Sequence, residues 1–164
     1  MNSNEISLRW AVASDFDTLG EVFYDAIRNG RSLYTPKQQT AWAPAPRAGA
    51  EWHARLGAQQ IIVAQRDGDL LGFMSLTDEA YVDFAYIRPG AQGTGLFRRL
   101  YNEIEAHALR SAYEELSTHA SRMARPAFIG MGFTLTQTEY VELGGETFER
   151  FAMAKKISAS NSLV

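Results

Sequence analysis

The stretch "YIRPGAQGTGLFRRL", Tyr86–Leu100, runs from a strand-like apolar segment through a proline and three glycines, Gly90, Gly93 and Gly95, into a helix. Glycine reaches backbone angles that other residues avoid and lets a ligand approach the main chain. The first turn of a helix carries N–H groups with no intrahelical partner, at the positive end of the helix dipole. Together these features suit a phosphate or diphosphate. A tight strand-to-helix turn without a ligand fits the same spacing. Two familiar phosphate motifs are excluded. A P-loop needs Lys-Ser/Thr after its last glycine, and Gly95 is followed by Leu96-Phe97. The dinucleotide fingerprint needs a third glycine where Arg98 stands.

Outward from the turn, Ala80–Ile87 reads as a strand and Gly95–Arg110 as a helix with the stripe Leu96, Leu100, Ile104, Ala108. Upstream, "QQIIVAQRDGDLLGFMSLT" sets two apolar runs, Ile61–Gln65 and Leu70–Thr77, about an Asp-Gly pair, a hairpin signal. The chain opens with a strand at Ile6–Ala11. A helix capped by Ser14 or Asp15 follows, with Leu19, Val22, Phe23 and Ile27 at helical spacing. The segment 31–49 reads as loop with a helical turn after Pro36, and a short helix spans Ala50–Leu56. Downstream come a strand at Tyr113–Ala120, a helix over Ser121–Met131 stopped by Gly132, and two alternating runs joined by Gly144-Gly145. Hairpins dominate, and one βαβ crossover spans residues 80–120. This predicts an α/β (α+β) domain, a mixed and mostly antiparallel sheet of six or seven strands with helices on both faces. Residues 1–156 form the single domain and 157–164 a frayed tail.

The 164 residues suit one core. The net charge of −3, with Lys and Arg scattered, gives no nucleic-acid footprint. The absence of cysteine excludes disulfides, thiolate metal sites and a cysteine nucleophile. His53, His107 and His119 lie too far apart to give a metal-ligand spacing. No basic-then-apolar leader and no membrane-length apolar run is present, so a soluble, cytoplasmic protein is expected.

"QGTGLF" (Gln92–Phe97), directly after "FAYIRP", resembles the Q/R-x-x-G-x-G/A signature of the GNAT superfamily of acyl-CoA-dependent N-acetyltransferases. "RDGDLLGFMSL" is similar to the hairpin that precedes that signature. "HASRMARPAFIGMGF" (His119–Phe133) is similar to the family's strand–helix–Gly-Phe segment, and the likeness runs from Ile6 to Lys156. The resemblance implies a GNAT-like fold with acetyl-CoA as co-substrate and no metal. Gln92, Gly93, Thr94, Gly95, Leu96 and Phe97 would hold the coenzyme A diphosphate. Ala85, Tyr86 and Ile87 would pair with the pantetheine arm, with a backbone N–H near Tyr86 polarising the carbonyl. Two positions depart from the pattern: Phe97 replaces the last Gly or Ala, and Phe128 stands where the family usually offers a tyrosine as general acid.

Acetyl transfer to an amine needs the amine deprotonated, the carbonyl polarised and the thiolate stabilised. Asp83, expected to share a strand face with Ala85 and Ile87, is the first candidate for base or amine-positioning acid, with a strand-end ion pair as the alternative. His119 sits on the next strand, and histidine is a side chain suited to proton removal through water. Tyr140 and Tyr34 are candidate proton donors in place of the missing tyrosine. Ser121 can touch the pantetheine, cap a helix, or both. Arg98, or its neighbour Arg99, suits a phosphate. Tyr34 and Trp42, with Trp52, suggest a wall for an apolar or flat amine, and Glu79 beside Asp78 suits its positive charge. The expected reaction is direct attack in a ternary complex on a small-molecule or peptide amine, with a homodimer through the C-terminal strands. A non-catalytic acyl-CoA-binding module and a ligand-free domain remain open alternatives.

Overall fold

The structure, a computed structural model, describes residues 5–158. Seven strands form one sheet: β1 (Ser7–Trp10), β2 (Gln60–Arg66), β3 (Asp69–Leu76), β4 (Tyr81–Ile87), β5 (Glu115–Ala120), β6 (Thr134–Leu143) and β7 (Glu146–Lys156). Their spatial order is β1-β2-β3-β4-β5-β7-β6. Among the described residues β4 and β5 are the parallel pair, and the other neighbours are antiparallel. The helices are α1 (Phe16–Arg28), α2 (Pro36–Trp42), α3 (Ala50–Gly57), α4 (Leu96–Arg110) and α5 (Arg125–Gly130).

The apolar run of β2 feeds two cores because successive side chains point to opposite faces. Ile61 and Val63 meet α1 and α3, where Leu19, Val22, Phe23, Ile27, Trp52 and Leu56 are buried with Phe73 and Phe84. Ile62 and Ala64 meet α4, whose Leu96, Leu100, Ile104 and Ala108 are buried with Phe128 and Phe133. The hairpin turn Asp67-Gly68 takes positive φ at both residues, 54° and 84°, which matches strand twist.

Local differences from the sequence reading have identifiable causes. The segment after Tyr34 forms a true helix, α2, because Thr35 and Gln38 cap each other reciprocally: Gln38 N–H donates to Thr35 Oγ1 at 3.1 Å, and Thr35 N–H to Gln38 Oε1 at 2.9 Å. β5 starts at Glu115, since Ala112 sits at φ 62° and turns the chain before Tyr113. The last helix starts only at Arg125, with Pro126 in its first turn. Ile157, assigned to the tail, is instead buried in the α4-side core, and its N–H donates to Glu114 O at 2.9 Å. Residues 159–164, the rest of that expected tail, lie outside the described residues.

Two features of β4 position the site. First, it pairs with β5 at Tyr81↔Ser117 and Val82↔Thr118, and the two strands then part. Second, the β3–β4 register steps from Met74↔Ala85 to Leu76↔Val82, so Ser75 faces both Asp83 and Phe84, a β-bulge. Ser75 Oγ accepts the Phe84 N–H at 2.9 Å and stabilises the bulge inside the sheet.

At the start of the chain, Asp15 accepts two bonds from Arg9 (2.8 and 2.9 Å) and one from the Val12 N–H (2.8 Å). These hold its carboxyl below the usual carboxylate range, the Arg9 bonds first, against the opposing effect of burial. A lowered folded pKa means that the contribution is full above the unfolded value and disappears as pH falls through the folded one. Asp15→Asn should therefore destabilise by about 2 kcal/mol at neutral pH, with the difference from wild type closing on acidification, as read by denaturant titration at several pH values.

Candidate active site

The glycine turn links β4 to α4. Gly93 and Gly95 sit at φ 74° and 81°, in the left-handed region that a side chain disfavours. A Cβ at either would meet no atom within 4 Å, so the turn is open on its outer side. Thr94 Oγ1 donates to Ala91 O at 2.6 Å, and Gln92 Nε2 donates to Ile87 O at 2.9 Å, fixing the loop from within. The helical ladder starts with Arg99 N–H on Gly95 O at 3.3 Å. Among the described residues, the N–H groups from Gly93 to Arg98 have no acceptor. Unpaired amides at a helix mouth, with the dipole behind them, are an anion cradle.

The cradle opens onto a cavity of about 390 Å³. Its floor is Ala85, Tyr86 and Ile87 of β4; its walls include Tyr34, Trp42, Phe97, Ser121 and Ala124. The N–H groups of Phe84 and Arg88 are taken by β3, through Ser75 Oγ and Leu71 O. Alternation along an extended strand turns the N–H groups of Ala85 and Ile87 the other way, into the gap where β5 has departed. A chain of amide groups inserted there would find a strand edge to pair with.

The two departures from the family pattern are both packing. Phe97 meets Phe128 edge to face at 5.1 Å, and its N–H has no acceptor among the described residues. Phe128 is 2% exposed and meets Phe133 edge to face at 5.1 Å, so it belongs to the core.

Of the proposed proton donors, Tyr34 is at the cavity and Tyr140 is not. Tyr34 is 7% exposed, and its hydroxyl accepts the Arg122 N–H at 2.8 Å beside Ser121. Its own proton remains to be given. Burial raises the phenol above its ordinary pKa, partly offset by the Arg122 bond, so it is protonated at neutral pH. Ser121 also caps the turn into α5, its Oγ accepting the Ala124 N–H at 3.1 Å. Tyr140 sits on the outer strand β6, 67% exposed, donating to Glu149 at 3.2 Å.

Asp83 does not share a face with Ala85 and Ile87, because the bulge turns it toward Phe84. Its Oδ1 accepts Arg55 Nη2 at 2.8 Å; its Oδ2 accepts Arg55 Nε at 3.0 Å and Gln59 Nε2 at 2.7 Å. Both oxygens are committed, and the Arg55 guanidinium lies 4.5 Å over the Phe84 ring. Neither oxygen is left free to meet an amine. His119 is differently placed. Its Nδ1 is 2.8 Å from Tyr81 Oη, its Nε2 is 3.5 Å from Glu139 Oε2, and Glu139 is held by Arg150 at 2.8 Å. Asp83 and His119 both line a small cavity of about 70 Å³ at the β4–β5 parting, together with Trp42 and Ser121. Glu79 is exposed in the β3–β4 turn, and Arg98 is exposed on the first turn of α4. Trp52 packs in the core and donates to Phe16 O at 2.7 Å.

Tyr81, which joins His119 to the strand parting, had no signal in the sequence, since an alternating strand offers many tyrosines. Arg31 and Met123, which also line the main cavity, sit in irregular segments without a pattern. Among the described residues no group of three or more His, Asp or Glu side chains could hold a metal ion, and no helix is long and apolar enough to cross a membrane.

Known proteins resemble this chain in sequence and in fold. Residues 31–155 match the family described as acetyltransferase (GNAT) domain. The chain is 30% identical over 154 residues to an uncharacterized N-acetyltransferase, YafP, of Escherichia coli, covering 93% of this chain and 97% of that protein. A GCN5-related N-acetyltransferase from Rhodopseudomonas palustris superposes with a TM-score of 0.83 at 27% identity, covering 95% of this chain and 98% of the other. A phosphinothricin acetyltransferase from Sinorhizobium meliloti, in complex with acetyl-CoA, shares the fold with a TM-score of 0.72 at 19% identity, over 93% and 89% of the two chains. The parted strands and the open helix mouth thus stand in a chain that belongs to the GNAT family of acetyltransferases.

Proposed function

We propose that this protein moves an acetyl group from acetyl-CoA to a primary amine by direct attack in a ternary complex. The observation that carries the reading is the row of unpaired N–H groups from Gly93 to Arg98, opening on a cavity floored by the unpaired edge of β4. The residues fit the co-substrate. The cradle suits its diphosphate, with Arg98 at the rim, and the N–H groups of Ala85 and Ile87 suit its amide arm. Bound there, acetyl-CoA supplies an activated acyl thioester.

The chain's own residues do the rest. One of the β4 N–H groups polarises the reacting carbonyl. Tyr34 Oη gives its proton to the departing sulfur, in place of the tyrosine that Phe128 replaces. Proton removal from the amine falls to Tyr81 and His119. The Tyr81 hydroxyl takes the amine's proton as it passes its own to His119 Nδ1, and Glu139 stabilises the imidazolium that results. Asp83 positions Arg55 and does not take the proton. Trp42 and Tyr34, 5.5 Å apart and edge to face, wall the acceptor end.

A thiol-release assay with acetyl-CoA and a panel of amines tests the reading, alongside calorimetry of coenzyme A binding. Release with any amine supports it. Tight binding without release across the panel would make the protein a coenzyme A-binding module instead. His119→Gln should lower kcat by roughly tenfold or more at neutral pH, and the deficit should shrink at alkaline pH, where the amine loses its proton unaided. A pH-independent deficit would remove His119 from proton transfer.

A further inference from the structure

Arg47 lies in the loop between α2 and α3, and among the described residues no carboxylate forms an ion pair with it. The guanidinium is half-buried over the Phe23 ring at 4.7 Å and the Trp52 ring at 5.8 Å. Among the described residues it has no hydrogen-bond acceptor and no carboxylate partner. The position is not slack. Arg47 O rests where a Cβ on Gly20 of α1 would be, so closely that any side chain there would collide with it, and this pins the loop to the helix. A half-buried guanidinium that rests on two ring faces and has no hydrogen-bond acceptor among the described residues keeps its N–H donors available to an anion.

The neighbourhood repeats the pattern. The Tyr86 ring packs 4.8 Å from the Phe23 ring on which Arg47 lies. Tyr86 lines the main cavity, and its hydroxyl also has no partner among the described residues. Arg47 and Tyr86 are close enough to influence each other's ionisation, and Arg55 adds a second positive charge nearby. Asp83, the one acid that both arginines feel, is already bridged to Arg55 and Gln59. What remains on this side of β4 is a corner of donors without an acceptor, bounded by aromatic rings and adjoining the parted strands.

We infer that the acceptor amine also carries a carboxylate, and that Arg47 and the Tyr86 hydroxyl receive it, fixing which end of the acceptor points at the thioester. The planar fork of a guanidinium matches the two oxygens of a carboxylate. The ring faces of Trp42 and Tyr86 suit an apolar or aromatic remainder. Arg47 is in this sense a specificity-determining residue, and the acceptor class is an amino acid or an amine-bearing aromatic acid rather than a simple alkylamine. The inference rests on the transferase reading for the meaning of "acceptor".

Matched pairs test it: L-phenylalanine with its amide, L-leucine with its amide, and 4-aminobenzoate with 4-aminobenzamide, each assayed by thiol release. Within reactive pairs the acid should exceed the amide in kcat/KM by about tenfold or more, through KM. Arg47→Met should bring that ratio to near one, and Arg47→Lys, which keeps the charge and loses the fork, should retain only part of it. Amides that match or exceed their acids, or a ratio that Arg47→Met leaves in place, would overturn the inference. If no pair reacts, saturation-transfer NMR of N-acetyl-L-phenylalanine and its amide on the coenzyme A complex decides the matter. Acid binding that Arg47→Met removes would sustain the carboxylate site and strike only the transferase reading. Equal or absent binding of the two would dismiss the site itself.

Discussion

Gly95→Asp should lower the affinity for coenzyme A by about a hundredfold, since a like charge some 5 Å from a phosphate in this setting costs about 3 kcal/mol. Gly95 is the residue before α4, at φ 81°, and a Cβ there would project into open space. The carboxylate would therefore enter without a steric clash and stand at the mouth of the unpaired amides. A second, smaller contribution comes from holding a side chain in the left-handed region, of order 1–2 kcal/mol. Gly95→Ala carries that strain without the charge and serves as the control. Calorimetry with coenzyme A separates them: Asp should lose far more affinity than Ala, while both melt within a few degrees of each other. Equal affinities for the Asp variant and wild type would remove the anion cradle from the molecule's function.

Tyr34→Phe should reduce kcat by about a hundredfold while leaving coenzyme A affinity close to wild type. The change deletes one hydroxyl from a ring otherwise held by Trp42 at 5.5 Å and Phe148 at 5.7 Å. The lost Arg122 bond lies at the turn before α5, so a modest loss of stability accompanies it. A structural role alone would lower the melting temperature and spare kcat per folded molecule. A catalytic role lowers kcat in fully folded protein, and single-turnover acetyl transfer measured under native conditions distinguishes the two. Retained kcat in the folded variant would leave the departing sulfur to be protonated by water.

The fold was legible wherever the information is local. The Asp67-Gly68 hairpin, the stripe of α4 and the glycine turn each announce themselves within a window of a few residues. The Thr35–Gln38 capping box stands in the sequence as Thr-x-x-Gln, and the prolines around it masked the signal. The site divides along the same line. Unpaired amides at the start of α4 follow from the turn alone. The role of Asp83 does not, because its meaning depends on Arg55 and Gln59, 28 and 24 residues away. The bulge at Asp83–Phe84 depends on Ser75 across the sheet, and no alternation pattern within β4 reveals it. Tyr34 and Tyr140 look alike in sequence; one is folded against the turn before α5 and the other faces outward from an edge strand. Arg47 has no local signature at all, and its significance comes from the rings of Phe23 and Trp52 that only the fold brings beneath it.

The parting of β4 from β5 has a thermodynamic corollary. Two register pairs join one half of the sheet to the other, so a guest lying in the cleft acts as an extra strand and binds the folded chain alone. Mass action then adds about 2.7 kcal/mol of resistance to unfolding when that guest stands a hundredfold above its dissociation constant. With the proposed thioester carrier as that guest, the equilibrium resistance to unfolding should rise with its concentration, as a denaturant titration at several coenzyme A concentrations would read.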